Sequence, residues 1–96
     1  MRRFEWAMYY VYMIKNSADK LYIEITGNPK QRLHEHNTNR GAHFTKYIPT
    51  YQIAFIEEYP TITEARKREV QIKKWRRDKK EMLMVKYNNG LPTKMK

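Results

Sequence analysis

The stretch MYYVYMIKNSADKLYIEIT, residues 8–26, contains two segments with the pattern of β-strands. MYYVYMI (8–14) is rich in aromatic and β-branched residues, and LYIEIT (21–26) alternates apolar with polar residues in period two. The intervening KNSADK supplies residues that favour turns. The sequence therefore predicts an antiparallel β-hairpin.

The second strand of this hairpin has two different faces. Leu21, Ile23 and Ile25 point to one side, because successive side chains of a strand alternate. Tyr22 and Glu24 are neighbours on the opposite side. A tyrosine and a carboxylate therefore share the polar face of the predicted hairpin.

The rest of the chain predicts three helices and one more strand. Asn28 and Pro29 form a helix start, with Asn28 as the capping residue, and this helix is expected to run to about Asn37. YQIAFIEEY (51–59) predicts a third strand. A possible capping box at Thr61 starts a second helix that runs to about Trp75, and a further helix is expected over 78–87.

The element order β-β-α-β-α-α predicts an α+β (mixed α/β) domain with a small, mainly antiparallel sheet and helices against it. A chain of 96 residues fits one domain, expected over 1–87, with 88–96 as a flexible tail. No apolar run approaches the roughly 18 residues that a membrane span needs. A glutamate interrupts the apolar N-terminal segment, so we interpret it as a strand and expect a cytoplasmic protein that does not bind membranes.

Charge gives the first indication of function. The chain has 20 Lys and Arg against 10 Asp and Glu, and residues 66–80 contain nine basic residues against Glu69 and Asp78. Such a field attracts the phosphates of nucleic acids. A solvated helix face is an equally good interpretation of this run. An anionic membrane surface is a weaker one, because the run lacks a broad apolar face.

The second predicted helix has an inward-facing arc at 100° per residue, formed by Ile62, Ala65, Ile72 and Trp75. Glu69 falls inside this arc. A carboxylate there costs free energy unless it is paired or binds a cation. The interpretations left open are a glutamate bridged to Arg32 or Lys46, a glutamate at the rim of the core, and a metal ligand.

Other residue types point away from several kinds of site. The absence of cysteine excludes disulfides and thiolate sites. His34 and His36 face different ways on a helix, so a histidine zinc site with His43 is not expected. Strand tyrosines such as Tyr12 and Tyr22 commonly pack across a sheet with the hydroxyl at its rim.

Five segments of the chain form a specific pattern by their order and spacing: YVY (10–12), LYI (21–23), RLHEHN (32–37), FTK (44–46) and EARKREVQIKKWRRDKK (64–80). Tyr12 and Tyr22 are ten residues apart, and Arg32 follows after another ten. Together these segments resemble the GIY-YIG nuclease family, most closely its short stand-alone bacterial members. The resemblance covers about residues 8–86.

The resemblance implies a three-stranded antiparallel sheet flanked by helices and an enzyme that hydrolyses phosphodiester bonds of nucleic acids with one divalent metal ion. Glu69 matches the family's metal ligand, for Mg²⁺ or Mn²⁺. One carboxylate is enough, because Mg²⁺ keeps several waters. Tyr12 and Tyr22 match the residues that position or activate water, Arg32 the residue that steadies the phosphate, and His36 a residue that assists proton transfer.

A tyrosine has an ordinary pKa of about 10, so it needs nearby positive charge to act as a base. The metal, Arg32 or Lys46 are the candidates for that charge.

As the partner we expect DNA in preference to RNA, cut without strong sequence specificity because no separate DNA-reading domain is visible. A protein partner cannot be predicted. The residues expected to contact nucleic acid are Lys46, Arg66, Lys73, Lys74, Arg76 and Arg77.

Two positions depart from the family pattern. The glycine that ends the family's second motif is Glu24 here, and the family's active-site asparagine has no match at a convincing spacing. Glu24 can impair the site by repelling phosphate, rotate outward, or act as a second metal ligand. The alternative function is therefore a weak or inactive nucleic-acid-binding module. An interaction-only protein is a third possibility.

Overall fold

A computed structural model of the protein describes residues 8–38 and 50–94. The predicted α+β order β-β-α-β-α-α and the three-stranded antiparallel sheet are confirmed. None of the helices in the described ranges is long and apolar enough to cross a membrane. The elements are β1 (Tyr9–Asn16), β2 (Leu21–Thr26), α1 (Pro29–Thr38), β3 (Tyr51–Tyr59), α2 (Ile62–Lys73) and α3 (Arg77–Asn88).

The sheet has the strand order β2-β1-β3, and both pairings are antiparallel. The turn between β1 and β2 is organised by Asn16, whose Oδ1 accepts hydrogen bonds from the amides of Ala18 (2.9 Å) and Lys20 (3.0 Å). Asp19 adopts φ 70°, a left-handed conformation that Asp tolerates better than most residues. The polar segment thus closes the predicted hairpin.

The hydrophobic core lies between one face of the sheet and the helices α2 and α3. Because side chains alternate, Tyr12 and Glu24 belong to the opposite face, on which α1 lies. One face of the sheet therefore forms the hydrophobic core, and the other face carries the more accessible Tyr12 and Glu24. The core residues are Val11, Met13, Ile23, Phe55, Ala65, Ile72, Leu83 and Met84.

A β-bulge in β3 changes which face its first residues occupy. Met13 pairs with Phe55, but Ile14 pairs with Ile53, so Ala54 is the extra residue. An extra residue reverses the alternation of the side chains that precede it. Tyr51 consequently shares a face with Tyr12 instead of with Phe55.

Two helices start with the capping residues that the sequence predicts. The Asn28 side chain accepts a hydrogen bond from the Gln31 amide (3.1 Å), and the Thr61 hydroxyl accepts one from the Glu64 amide (3.2 Å). The second helix ends at Lys73, short of the predicted end near Trp75.

One detail of the predicted packing of α2 is wrong. Ile62 is 45% exposed, because the inward stripe of α2 begins one turn later. That stripe also includes Arg68, which the predicted arc of Ile62, Ala65, Ile72 and Trp75 does not contain. On the other side of the sheet, α1 buries none of its residues fully, and Leu33 is half-buried.

Candidate active site

The strand register brings Tyr12 and Glu24 together. They are cross-strand partners in the β1–β2 ladder, and the Tyr12 hydroxyl donates a hydrogen bond to Glu24 Oε1 at 3.1 Å. Tyr12 is completely buried, whereas the Glu24 side chain is 30% exposed. The carboxylate therefore points inward over the sheet and keeps contact with solvent, so the outward rotation, one of the three alternatives for Glu24, is not found.

Helix α1 adds Arg32 and His36 to the same carboxylate. Arg32 Nε donates to Glu24 Oε1 at 3.1 Å, and His36 Nε2 lies 3.2 Å from Glu24 Oε2, in a contact without hydrogen-bond geometry. The four-residue spacing places both side chains on one side of the helix, as predicted. We call Tyr12, Glu24, Arg32 and His36 the Glu24 cluster.

Hydrogen bonds near both ends of α1 hold it in position. The Asn28 amide donates to the Thr26 hydroxyl (3.0 Å), which ties the helix start to the end of β2. The Asn37 side chain accepts from the Tyr51 amide (2.8 Å) and donates to the Tyr51 carbonyl (3.1 Å). These bonds fix Arg32 and His36 relative to the two neighbouring strands.

Tyr22 lies beside the cluster in an aromatic contact. Its ring meets that of Tyr51 edge to face, with centroids 5.5 Å apart, and the Tyr51 ring lies 5.7 Å from that of His36. Tyr22 is 44% exposed, so part of the residue is in contact with solvent. The bulge at Ala54 makes this contact possible, because it turns Tyr51 toward this face.

Electrostatics set the protonation of the Tyr12–Glu24 pair. Burial raises the pKa of Tyr12 well above its ordinary value, and the Glu24 charge and hydrogen bond raise it further. Burial acts to raise the pKa of Glu24 as well, but the Tyr12 hydrogen bond and the charges of Arg32 and His36 outweigh it, and the net shift is downward. Tyr12 is thus a neutral donor and Glu24 an ionised acceptor near neutral pH. The Arg32 charge acts to lower the pKa of Tyr12, but it is outweighed.

Glu69 lies on α2, which packs on the other face of the sheet. Its side chain is only 11% exposed, and it pairs with Lys73 (Nζ–Oε2 3.1 Å) and Arg66 (Nη1–Oε1 3.9 Å). The expected alternative of a bridge to Arg32 is wrong, since the carboxylate partners of Arg32 are Glu24 and Glu35. Within the described ranges, neither hydrogen bonds nor ion pairs connect Glu69 with the Glu24 cluster.

The donor set at Glu69 fits a hard divalent cation that retains most of its water. Mg²⁺ is commonly bound through one or two carboxylates, and the exposed side chains of Arg66 and Lys73 are free to swing away from Glu69. Residues 8–38 and 50–94 contain no group of three or more metal-binding side chains. A metal bound here would therefore depend on Glu69 and on groups brought by the substrate.

The basic residues expected to contact nucleic acid differ in availability. Lys74 is exposed, and Arg76 is almost fully exposed, with only a surface contact to Asp78 at 3.3 Å. Arg77 is engaged at 2.9 Å with both Glu81 and Asp19, and so ties α3 to the β1–β2 turn. Arg66 and Lys73 pair with Glu69, as described above. The predicted contact Lys46, like His43, lies outside the described residues.

Comparison with known proteins identifies the family of the chain. A family model described as the GIY-YIG catalytic domain matches residues 8–82. The chain belongs to the GIY-YIG family. A UPF0213 protein of Staphylococcus aureus is 36% identical over 72 residues, covering 75% of this chain and 88% of that protein. A UPF0213 protein of Haloquadratum walsbyi is 35% identical over 75 residues, covering 78% and 84% respectively.

Two solved structures have the same fold as this GIY-YIG protein. A solution NMR structure of a protein from E. faecalis has a TM-score of 0.63 and 28% identity, covering 85% of this chain and 88% of that chain. A UPF0213 protein from Bacillus halodurans has a TM-score of 0.53 and 26% identity, covering 81% and 83%. The family match indicates a nuclease-type function and a nucleic-acid partner.

Sequence reasoning missed a second charged cluster. Arg68 and Glu57 form a buried ion pair between α2 and β3, with Arg68 Nε 2.9 Å from Glu57 Oε1. A signal for Arg68 was present, since it lies three residues after Ala65 and four before Ile72. Tyr51 was missed as a member of the Tyr12 face because the sequence gives no clear sign of the bulge at Ala54.

The Glu24 cluster has the chemistry of an oxyanion site. A phenol, a guanidinium group and an imidazole converge on two carboxylate oxygens, and the same donors suit a phosphate. In this structure the phenol and the guanidinium group donate to Glu24, and the imidazole lies beside it.

Proposed function

We propose that this protein is a divalent-metal-dependent endonuclease that hydrolyses phosphodiester bonds, in DNA in preference to RNA and without strong sequence specificity. The observation that carries the proposal is the convergence of Tyr12, Arg32 and His36 on one anionic group, in a chain matched over residues 8–82 to a nuclease-type family. Two hydrogen-bond donors and an imidazole that already surround an anion suit the scissile phosphate.

Each residue of the proposed site has a chemical task. The Arg32 guanidinium group binds the phosphate and stabilises the charge that develops on it. Tyr12 is a neutral donor near neutral pH, so it orients an oxygen atom by donating a hydrogen bond. Tyr22, which is partly exposed, positions the attacking water, and His36 transfers a proton.

We assign Mg²⁺ or Mn²⁺ to Glu69. When bound, the ion would supply positive charge and a bound water of lowered pKa. Because α1 and α2 lie on opposite faces of the sheet, it would act on a phosphate held by Arg32 only with a nucleic acid that reaches both faces. Lys74 and Arg76 are exposed and available for the nucleic-acid backbone, which makes binding sensitive to salt.

A second candidate function is nucleic-acid binding with little or no cleavage. The observation that favours it is the inward position of Glu24, which opposes an incoming phosphate. Two unit charges about 5 Å apart repel by roughly 3 kcal/mol at an effective dielectric constant of 20. An energy of this size slows a reaction by about a hundredfold. The two candidates therefore share one site and differ in the effect of Glu24.

The test is nicking of supercoiled plasmid with Mg²⁺ or Mn²⁺ and a chelator control. We expect slow, metal-dependent nicking by the native protein, acceleration of about a hundredfold in Glu24→Gly, and loss of activity in Glu69→Ala. Glu64→Ala, an exposed glutamate of the same helix, is the matched control and is expected to cut like the native protein. If native protein and Glu24→Gly both bind DNA but leave it intact, the nuclease proposal fails and the binding function stands.

A further inference from the structure

The position of Glu24 suggests a role beyond simple repulsion of substrate. We propose that the Glu24 carboxylate is the internal ligand of an oxyanion-binding site formed by Tyr12, Arg32 and His36, and that a phosphate group enters this site by exchanging with it. The inference rests on the proposed function only in identifying a phosphodiester as the natural anion. It concerns how that same site is regulated.

The contacts of Glu24 are those of a bound ligand. Its two oxygens face three different side chains, from β1 and α1, at distances of 3.1 to 3.2 Å. A carboxylate and a phosphate both present several acceptor oxygens with negative charge, so one set of donors serves either. Glu24 thus accepts hydrogen bonds from Tyr12 and Arg32 and lies beside His36, in the position that a phosphate would take.

The attachment of Glu24 is loose enough to exchange. Arg32 divides its donors, with Nε on Glu24 and Nη1 on Glu35 at 3.1 Å, and its Nη2 has no partner among the described residues. The contact with His36 lacks hydrogen-bond geometry. None of the three residues holds Glu24 by the two parallel bonds that make arginine–carboxylate pairs strong.

The route for exchange follows from burial. Tyr12 is completely buried, whereas the Arg32 side chain is 42% exposed and that of Glu24 is 30% exposed. An incoming phosphate therefore meets Arg32 first and reaches Tyr12 last. The displaced carboxylate can move toward water and stay hydrated, so exchange does not leave a buried unpaired charge.

Two substitutions show whether Glu24 excludes phosphate through its charge or through its size. Glu24→Gln keeps the size of the side chain and an oxygen that accepts the Tyr12 hydrogen bond, but it removes the charge that attracts Arg32 and His36. Glu24→Gly removes the side chain altogether. If Glu24 acts as a charged internal ligand, Glu24→Gln is enough to open the site. If it acts by bulk alone, only Glu24→Gly opens it.

The experiment is titration of metal-free protein with inorganic phosphate in the presence of a chelator. Binding is followed by calorimetry and by the NMR signals of the Arg32 Nε–H and the His36 ring. We expect phosphate to bind at least about tenfold more tightly to Glu24→Gln than to the native protein, since loss of one charged competitor is worth on the order of one charge-assisted hydrogen bond. The gain should disappear when Arg32→Ala is added.

Glu35→Gln is the matched control. Glu35 also contacts Arg32 at 3.1 Å, but it contacts neither Tyr12 nor His36. Its removal should change phosphate affinity by less than about twofold, as expected for an exposed ion pair. Equal affinity of native protein and folded Glu24→Gln would overturn the inference, as would a gain that survives Arg32→Ala.

The outcome is independent of cleavage, because this titration contains neither metal nor nucleic acid. If Glu24→Gln gains phosphate affinity while Glu24→Gly fails to cut DNA, the internal ligand is established and the nuclease proposal fails. If Glu24→Gly cuts DNA while Glu24→Gln gains no affinity for phosphate, the nuclease proposal stands and the internal ligand is rejected.

Discussion

The two faces of the sheet carry the same three chemical groups in different surroundings. On the α1 face, Tyr12 donates to Glu24, which pairs with Arg32. On the core face, the Tyr59 hydroxyl donates to Glu57 at 2.8 Å, and Glu57 pairs with Arg68. The pKa of the tyrosine is raised and that of the glutamate is lowered in both triads.

The triads differ in how completely the arginine is bound. Arg68 holds Glu57 with two bonds, Nε–Oε1 at 2.9 Å and Nη2–Oε2 at 3.0 Å. It also donates to Gln71 (2.7 Å) and to the Thr93 carbonyl (3.1 Å). The Arg68 and Glu57 side chains are 8% and 2% exposed. Arg32, by contrast, gives Glu24 one bond and remains partly exposed.

This difference shows that burial and bond number, more than residue type, separate a structural ion pair from a ligand site. Breaking a buried ion pair with several hydrogen bonds leaves the remaining charge buried and unpaired. A pair held by single contacts near solvent can open at small cost. The Glu57 triad therefore connects β3, α2 and the C-terminal segment, while the Glu24 triad is suited to exchange.

The largest expected effect is that of Arg68→Ala. The substitution leaves the Glu57 carboxylate buried and unpaired, which should lower the free energy of unfolding by about 3–5 kcal/mol. Urea denaturation of the native protein and the variant measures this. Arg66→Ala, which removes an exposed arginine from the same helix, should change stability by less than about 0.5 kcal/mol.

The double variant Glu57→Leu, Arg68→Met provides a further control, because it removes both charges. It should recover most of the stability lost in Arg68→Ala, since apolar replacements of buried ion pairs are often neutral or stabilising. A loss below about 1 kcal/mol in Arg68→Ala, the range of exposed pairs, would mean that the two triads do not differ in the way described.

An intermediate effect is expected from the tyrosines. Tyr59→Phe removes a donor from a nearly fully buried carboxylate and should cost about 1.5–3 kcal/mol, as for hydrogen bonds to charged groups. Tyr12→Phe should cost less, because Glu24 can turn to water. Urea denaturation at neutral pH gives both values. A larger loss of stability for Tyr12→Phe than for Tyr59→Phe would contradict the looser attachment of Glu24.

The same variants test the tyrosine pKa values. Both are raised in the folded protein, so each hydroxyl contributes stability that is complete below the unfolded pKa of about 10 and is lost as pH rises toward the folded value. The stability difference between native protein and each Phe variant should therefore shrink above about pH 10. A constant difference up to pH 11 would contradict the raised pKa values.

Much of the fold could be predicted from local patterns. Period-two alternation in LYIEIT put Tyr22 and Glu24 on one face, and the four-residue spacing put Arg32 and His36 on one side of a helix. The meeting of these two surfaces depends on how α1 lies on the sheet. That position is set by long-range bonds, such as those of Asn37 with the Tyr51 backbone, which local patterns do not contain.

The remaining differences have specific physical causes. The burial of Arg68 depends on Glu57, a partner in a different element that local patterns do not reveal. The face of Tyr51 depends on one extra residue in β3, which a period-two count assigns wrongly. The orientation of Glu24 depends on two hydrogen bonds, from Tyr12 and Arg32, whose donors come together only in the folded chain, so its role could not be predicted from the sequence.

The smallest expected effect, and the sharpest comparison of the two carboxylates, comes from Glu24→Gln at different pH. The pKa of Glu24 is lowered in the folded protein, so its ionised form contributes stability above the ordinary value of about 4.3, and this contribution is lost as pH falls through the folded value. The native protein should exceed Glu24→Gln in stability by less than about 1 kcal/mol at pH 7, because the pair is partly exposed. The difference should decrease between about pH 5 and pH 3, as measured by urea denaturation.

Glu57→Gln should show the same direction with a larger loss of stability, since Glu57 is almost completely buried. An equal or larger loss for Glu24→Gln would show that the Glu24 carboxylate is held as firmly as the buried one, and exchange with phosphate would then be too costly.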